Sequence, residues 1–287
     1  MRRREWILDY LKRGQSHRYG AHRSQRVELH LPEASAGGAA SAPYPVMITI
    51  HGGSWKQRYS KIVMRPLAGY LTRRGWAVWN IEYRRVGAGG GWPATFEDVA
   101  SAIDKLAEIA DPRLDLERVS ILGHSAGGHL ALWAAARENL PAGAPGALDG
   151  PPRVRARQVI SQAGVADLAG GFGDGSVIGQ HGGAVWGLMG GSPEELPERY
   201  AVGDPTRLLP VAIPVLLVHG IDDDTVSVDL SRNYAHAARA AGCDVELVEI
   251  AGEAGGHRTH IDPRSQAWAQ VTRRLPTAVP STATAAA

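Results

Sequence analysis

The sequence predicts an α/β fold, a mostly parallel central sheet with helices on both faces. Short apolar runs of strand length alternate with longer segments of helical periodicity, and such alternation argues for parallel strands joined by crossover helices. The chain has 287 residues, 44% hydrophobic and 21% charged, enough to bury a large core without disulfide or metal staples. Several apolar runs lead straight into loops rich in Gly, His, Ser and Asp, and active sites in such sheets lie just beyond the carboxyl ends of the strands.

In chain order, buried strands are expected over 46–50 (VMITI), 77–81 (AVWNI), 119–122 (VSIL), 158–161 (QVIS), 215–218 (VLLV) and 245–250 (VELVEI). Helices are expected over about 60–74, 95–109, 127–138, 228–241 and 263–274. Residues 141–152, rich in Pro, Gly and Ala, read as a surface loop. The segment 164–205 reads as a small glycine-rich cap inserted into a single domain over 1–276; a plain surface loop is the other reading. Residues 277–287, uncharged Ala, Thr, Ser and Pro, read as a disordered tail.

The net charge of +2 implies an ordinary solvated surface. Cys243 is the only cysteine, which excludes an intrachain disulfide and fits a reducing compartment. Arg2-Arg-Arg4 is followed by Glu5, Asp9 and Lys12 rather than an apolar run, so no export signal is expected. No stretch approaches the roughly 20 apolar residues of a membrane span, and the default expectation is a soluble cytoplasmic protein. A basic stripe with interleaved aromatics is missing, so no nucleic-acid partner is expected. His257-x-x-His260 lacks metal-site spacing, and the glycines at 87–91 lack a dinucleotide context; no metal or cofactor is expected. No interface is legible; a homodimer is the oligomer that general frequency favours.

The chemistry is carried by the loops. After 119–122 comes Gly123-His-Ser-Ala-Gly127, a G-x-S-x-G pattern between a strand and a helix. This context turns the chain sharply and lifts the Ser125 hydroxyl clear of the sheet. After 46–50 comes His51-Gly-Gly-Ser-Trp55, whose paired glycines let backbone N–H groups approach a ligand or simply make a turn. After 215–218, Asp222, Asp223 and Asp224 offer three carboxylates to orient a histidine, or to cap the next helix. After 245–250 come His257 and His260. The order Ser, Asp, His, each after its own strand, suits a serine nucleophile whose proton passes to an imidazole held by a carboxylate.

With these residues in place, the sequence resembles the α/β-hydrolase superfamily, and within it the branch of kynurenine formamidases (arylformamidases) and related carboxylesterases. The resemblance also covers Ile81-Glu-Tyr-Arg-Arg85 and Gly91-Trp-Pro-Ala-Thr-Phe-Glu-Asp98, and spans roughly residues 17–275. It implies Ser125 as nucleophile. The pattern H-G-x-x-D-x-x-V selects Asp223 as acid, and a pattern like H-F-x-x-I-D-P selects His257 as base, although Arg258 replaces the usual aromatic. It further implies an oxyanion hole from the N–H groups of Gly53, Ser54 and Ala126. The implied reaction is cleavage of a small ester or amide, with arylformamidase activity first and carboxylesterase activity on short-chain or aryl esters as the alternative. A non-catalytic binding protein on the same fold is a third reading.

Trp55 and Trp92 are candidates to line an aromatic pocket, or to fill core. Arg84 and Arg85 are candidates to hold a substrate carboxylate, or to pair with Glu82 or Asp98. His51 and His124 are expected to support loop geometry. Ser161 and His181 sit in no nucleophile context.

Overall fold

A computed structural model describes residues 3–33, 43–173, 183–276 and 278. The expected tail, apart from Ala278, and His181 lie outside the described residues. The core is an eight-stranded sheet. Its strands are β1 (Gln15–Arg18), β2 (Arg26–His30), β3 (Tyr44–Ile50), β4 (Ala77–Ile81), β5 (Leu114–His124), β6 (Ala156–Gln162), β7 (Val215–Gly220) and β8 (Val245–Ile250), in spatial order β1-β2-β4-β3-β5-β6-β7-β8. All pairings from β4 to β8 are parallel. The first two strands form an antiparallel hairpin, and β2 pairs antiparallel with β4. Each expected strand is present, but β8 is not the buried strand expected over 245–250: it lies at the sheet edge, where Glu246 and Glu249 are exposed and only Ile250 is buried. The hairpin is an addition, because Gln-Ser-His-Arg at the opposite edge carries no apolar signal.

Period-2 alternation decides which side each strand residue faces. Val46, Ile48, Ile50, Trp79, Ile81, Ile121, Val159 and Leu217 enter one core cluster, and their neighbours Met47, Val78, Leu122, Ile160, Leu216 and Val218 enter the other. The first cluster is closed by α3 (Ala94–Glu108), α4 (Ala126–Ala135) and α7 (Val228–Ala240), which contribute Phe96, Ile103, Leu130, Trp133 and Tyr234. The second is closed by α2 (Arg65–Thr72) and α8 (Gln266–Thr272), through Leu67, Leu71, Trp268 and Val271. A further helix, α1 (Arg3–Leu11), precedes β1. Helix α4 reads AGGHLALWAA, is apolar almost all round, and is correspondingly buried from Ala126 to Ala134. No helix among the described residues is long and apolar enough to cross a membrane.

The expected insertion is described over 164–173 and 183–205 and holds two short helices, α5 (Ala184–Met189) and α6 (Pro197–Gly203). These parts are built into the core: Val185, Leu188, Met189 and Tyr200 are buried. The indole N–H of Trp133 donates to Val202 O (2.9 Å), and the Trp92 backbone N–H to Leu188 O (2.7 Å).

Parallel register aligns the carboxyl ends. Ile50 lies beside both Ile81 and Gly123, His124 beside Gln162, and Gly220 beside Ile250. The loops after β3, β4, β5, β7 and β8 therefore open at one edge of the sheet, the position argued above for an active site.

Candidate active site

Between β5 and α4 the chain passes through Ser125 with φ 55° and ψ −122°, a conformation that non-glycine residues avoid. Its surroundings hold it there. The Ser125 N–H donates to Gln162 O (2.9 Å), and Ser125 O accepts from the N–H of Gly128 (2.8 Å) and His129 (3.2 Å). The flanking glycines are required by close approach. A Cβ on Gly123 would stand 1.9 Å from Gly127 O, and one on Gly127 would stand 2.1 Å from Ile50 O. Ser125 is the residue just before α4, and Ala126 is the first residue within it, where backbone N–H groups have no intrahelical acceptor.

The loop after β3 abuts this turn: a Cβ on Gly52 would lie 2.9 Å from Ser125 Cβ. Gly53, Ser54 and Trp55 all have positive φ (114°, 53° and 54°). Such backbone persists only where neighbours over-determine it, and the buried His51 does so. Its Nδ1 donates to Gly52 O (2.7 Å) and its Nε2 meets Glu82 Oε1 (2.8 Å). The ring stacks on Tyr83 at 4.4 Å, and the Tyr83 hydroxyl donates to His51 O (2.9 Å). Burial raises the Glu82 carboxyl, but the adjacent His51 and Arg85 outweigh it and hold the group below the usual carboxylate range.

After β7, the three aspartates separate by geometry. Asp222 and Asp224 are exposed and serve local turns, accepting from Gly252 N and Thr225 Oγ1 respectively. The Asp223 carboxylate is fully buried. Its Oδ1 accepts from the N–H groups of Thr225 (2.9 Å) and Val226 (3.0 Å), and its Oδ2 lies 2.7 Å from His257 Nδ1. Burial opposes the charge on Asp223, yet the neighbouring His219 imidazole, the hydrogen bond from His257 and the loop backbone drive its carboxyl far below the ordinary value. Because a carboxylate only accepts, the proton of neutral His257 sits on Nδ1, leaving Nε2 as the acceptor a general base needs.

His257 is fixed beside the serine turn by His124, whose Nε2 donates to His257 O (2.9 Å) with the rings 4.8 Å apart. Burial, together with His257 and His260, lowers His124 well below its usual value, so it acts as a neutral donor. His260 has no exposed surface, and burial beside His219 and His257 pushes it down to about 3. Its place is structural: its carbonyl accepts from Gln162 Nε2 (2.8 Å).

The four remaining sequence-based candidates, two tryptophans and two arginines, are engaged within the protein. Trp55 is 0% exposed, edge-on to His129 at 5.4 Å, and so is a core residue with no face for a substrate. Trp92 is half-buried and packs on Phe96 at 5.1 Å. Arg84 is taken by Asp98 through bonds of 2.8–3.0 Å, and Arg85 pairs with Glu82 at 3.2 Å. Residues that sequence reasoning passed over are His219 and Gln162. His219 bonds Ser231 Oγ (2.7 Å) and Val226 O (3.0 Å) and lies 3.6 Å from Asp223 Oδ2. A signal for it existed: a His-Gly pair follows β3 directly and another closes β7, and in each case the histidine ties down backbone of the adjoining loop. Cleft size is no guide to the site, since a cleft of about 470 Å³ beside α3, lined by Tyr19, Lys105 and Arg153 among others, shares no residue with the Ser125, Asp223 and His257 cluster.

Comparison with known proteins agrees with this architecture. Solved structures similar to the chain include a truncated carbohydrate esterase from gut microbiota (TM-score 0.74, 22% identity, 91% of this chain and 94% of that one). Another is esterase B from Lactobacillus rhamnosis (TM-score 0.75, 18% identity, 94% and 88%). Among curated relatives in Mycobacterium tuberculosis, esterase LipQ is 38% identical over 103 residues, covering 36% of this chain and 24% of LipQ. Esterase LipC is 27% identical over 225 residues, covering 75% of this chain and 53% of LipC. The matches thus span about a quarter to half of these relatives' length. The BD-FAE family model matches residues 29–237, a stretch that includes Ser125 and Asp223 and stops short of His257. By that match and by its sheet order, the chain belongs to the BD-FAE family within the α/β-hydrolase superfamily.

Proposed function

We propose that the chain is a serine hydrolase that cleaves small carboxylic esters through an acyl-enzyme on Ser125. One observation carries this reading: the buried Asp223–His257 pair, 2.7 Å apart, is anchored through His124 beside a serine held at φ 55°. His257 Nε2 takes the Ser125 hydroxyl proton as Oγ attacks the substrate carbonyl carbon. The resulting oxyanion is met by the N–H groups of Gly53, Ser54 and Ala126, and Asp223 stabilises the imidazolium. Collapse of this intermediate breaks the ester C–O bond, and His257 returns the proton to the departing alcohol. Water, deprotonated by His257, then releases the acid and restores Ser125.

The curated relatives reported above are named as esterases, which favours ester hydrolysis over the arylformamidase activity implied by the motif resemblance. A fluorophosphonate probe is expected to label the folded protein and to spare Ser125→Ala; labelling that survives this change sinks the mechanism. Wild-type protein is expected to turn over p-nitrophenyl acetate and butyrate faster than N-formylkynurenine, and the reverse ranking restores the formamidase reading. Absence of labelling and turnover alike supports a binding protein instead.

A further inference from the structure

Beside the loop that follows β3 lies a cleft of about 300 Å³ whose wall is strongly basic. Arg23 and Arg26 reach it from the β1–β2 hairpin, Lys61 and Gln57 from the loop after β3, and Arg85 from the loop after β4. Against these four cations the lining supplies one carboxylate, Glu82. That carboxylate is already committed: Oε1 receives His51 Nε2 and Tyr83 N, and Oε2 receives Lys61 N. Lys61 lies 3.6 Å from Glu28, but Arg65 holds Glu28 more closely, at 2.7 and 3.0 Å. Arg23 and Arg26 have no ion pair among the described residues, and the Nε groups of Arg26 and Arg85 are buried without an acceptor there. Guanidinium groups that line a cleft without a carboxylate partner, as Arg23 and Arg26 do among the described residues, are matched by a planar or tetrahedral oxyanion.

The cleft also adjoins the loop proposed as the oxyanion hole. Arg85 donates to the Tyr59 carbonyl, and the Tyr59 ring occupies the space where a Cβ on Gly53 would fall. Through Glu82, the same wall grips His51. We propose that this cleft is a subsite for a small oxyanionic group, a carboxylate, phosphate or sulfate, held by Arg23, Arg26 and Lys61 beside the 51–61 loop. The group arrives either as a free ion or as an acid substituent of the ester.

Two measurements separate the sources. Inorganic phosphate is titrated into the full chain at constant ionic strength and followed by calorimetry, with chloride as the control. Saturable binding is expected, weakened at least about tenfold in Arg26→Gln and Lys61→Gln, since hydrogen bonds to charged groups carry this much. Arg23→Gln, at an exposed residue without an ion pair, is the variant least exposed to folding defects, and circular dichroism checks all three. In the second measurement, KM for mono-p-nitrophenyl succinate is compared with KM for p-nitrophenyl butyrate. A rise of about tenfold for the acid ester only, in the variants, assigns the subsite to substrate. Phosphate binding without that rise assigns it to a free ion. Phosphate uptake no greater than chloride's, combined with an unmoved KM ratio, overturns the proposal. Only the KM comparison rests on the esterase reading, so a protein without turnover is still judged by the calorimetry.

Discussion

At the residue scale, Asp223 shows how burial and hydrogen bonding compete for one carboxyl group. Desolvation favours its neutral form, but His257 and two backbone N–H groups hold it ionised in a place that solvent does not reach. Asp223→Asn keeps the shape and removes the charge, and it allows the wrong tautomer at His257. Under the proposed mechanism, kcat for p-nitrophenyl acetate is expected to fall about 10⁴-fold with a small change in KM, as steady-state kinetics would read. A loss below tenfold would remove Asp223 from the mechanism. The sequence offered three adjacent aspartates at this position. Spacing copied from a family pattern pointed to the middle one, and the loop geometry separates the three by burying the Asp223 carboxylate and turning Asp222 and Asp224 outward.

At the element scale, the serine turn depends on β3, β5 and α4 approaching more closely than side chains allow. Gly127→Ala places a methyl 2.1 Å from Ile50 O, a backbone atom of a central strand that cannot move without displacing the sheet. This variant is expected to melt at least 8 °C below wild type or to be insoluble, following a cost of several kcal/mol from overpacking. Gly150→Ala, with nothing within 4 Å and no positive φ, is expected to melt within about 2 °C of wild type. Equal melting of the two would show that the turn has room to spare. The central strands were legible because a parallel strand buried on both faces must be apolar throughout, the edge strand β8 because Val245, Leu247, Val248 and Ile250 still form an apolar run, and the main helices by their 3.6-residue period. The β1–β2 hairpin, α5 and α6 were not, because short elements stabilised by pairing and docking need little apolar content of their own.

At the scale of the whole molecule, the interior holds several histidines that favour the neutral state. Burial lowers His129 from 6.5 to about 4, against the opposing bond to Gly203 O, and His260 lies at about 3. As pH falls below 6.5 the unfolded chain takes up protons that the folded chain refuses. Stability is therefore full above pH 6.5 and lost toward the folded values near 4 and 3, at about 1.4 kcal/mol per pH unit for each histidine. Asp223 acts in the same direction further down: its depressed pKa supports folding fully above the ordinary carboxylate value of 3.8, and that support declines as pH falls from there toward its far lower folded value. Urea midpoints are expected to decline steadily between about pH 6.5 and 4, and His129→Gln is expected to flatten that decline by about one proton's worth. An unchanged slope in the variant would mean that His129 is reachable by protons in the folded state.

The amino-acid sequence by itself determined the order of strands and helices, the serine between small residues, and the succession of aspartates and histidines after separate strands. These are local properties, written in periodicity and in the residues that a turn requires. Tertiary structure decided what no segment contains. It aligned the carboxyl ends of strands far apart in the chain, buried Asp223 while exposing its two neighbours, and withdrew Trp55 into the core. It also gathered arginines from the hairpin and the loop after β4, with Lys61 from the loop after β3, around one cleft. Burial and electrostatic environment belong to all the elements around a group, so they become readable only once those elements are packed.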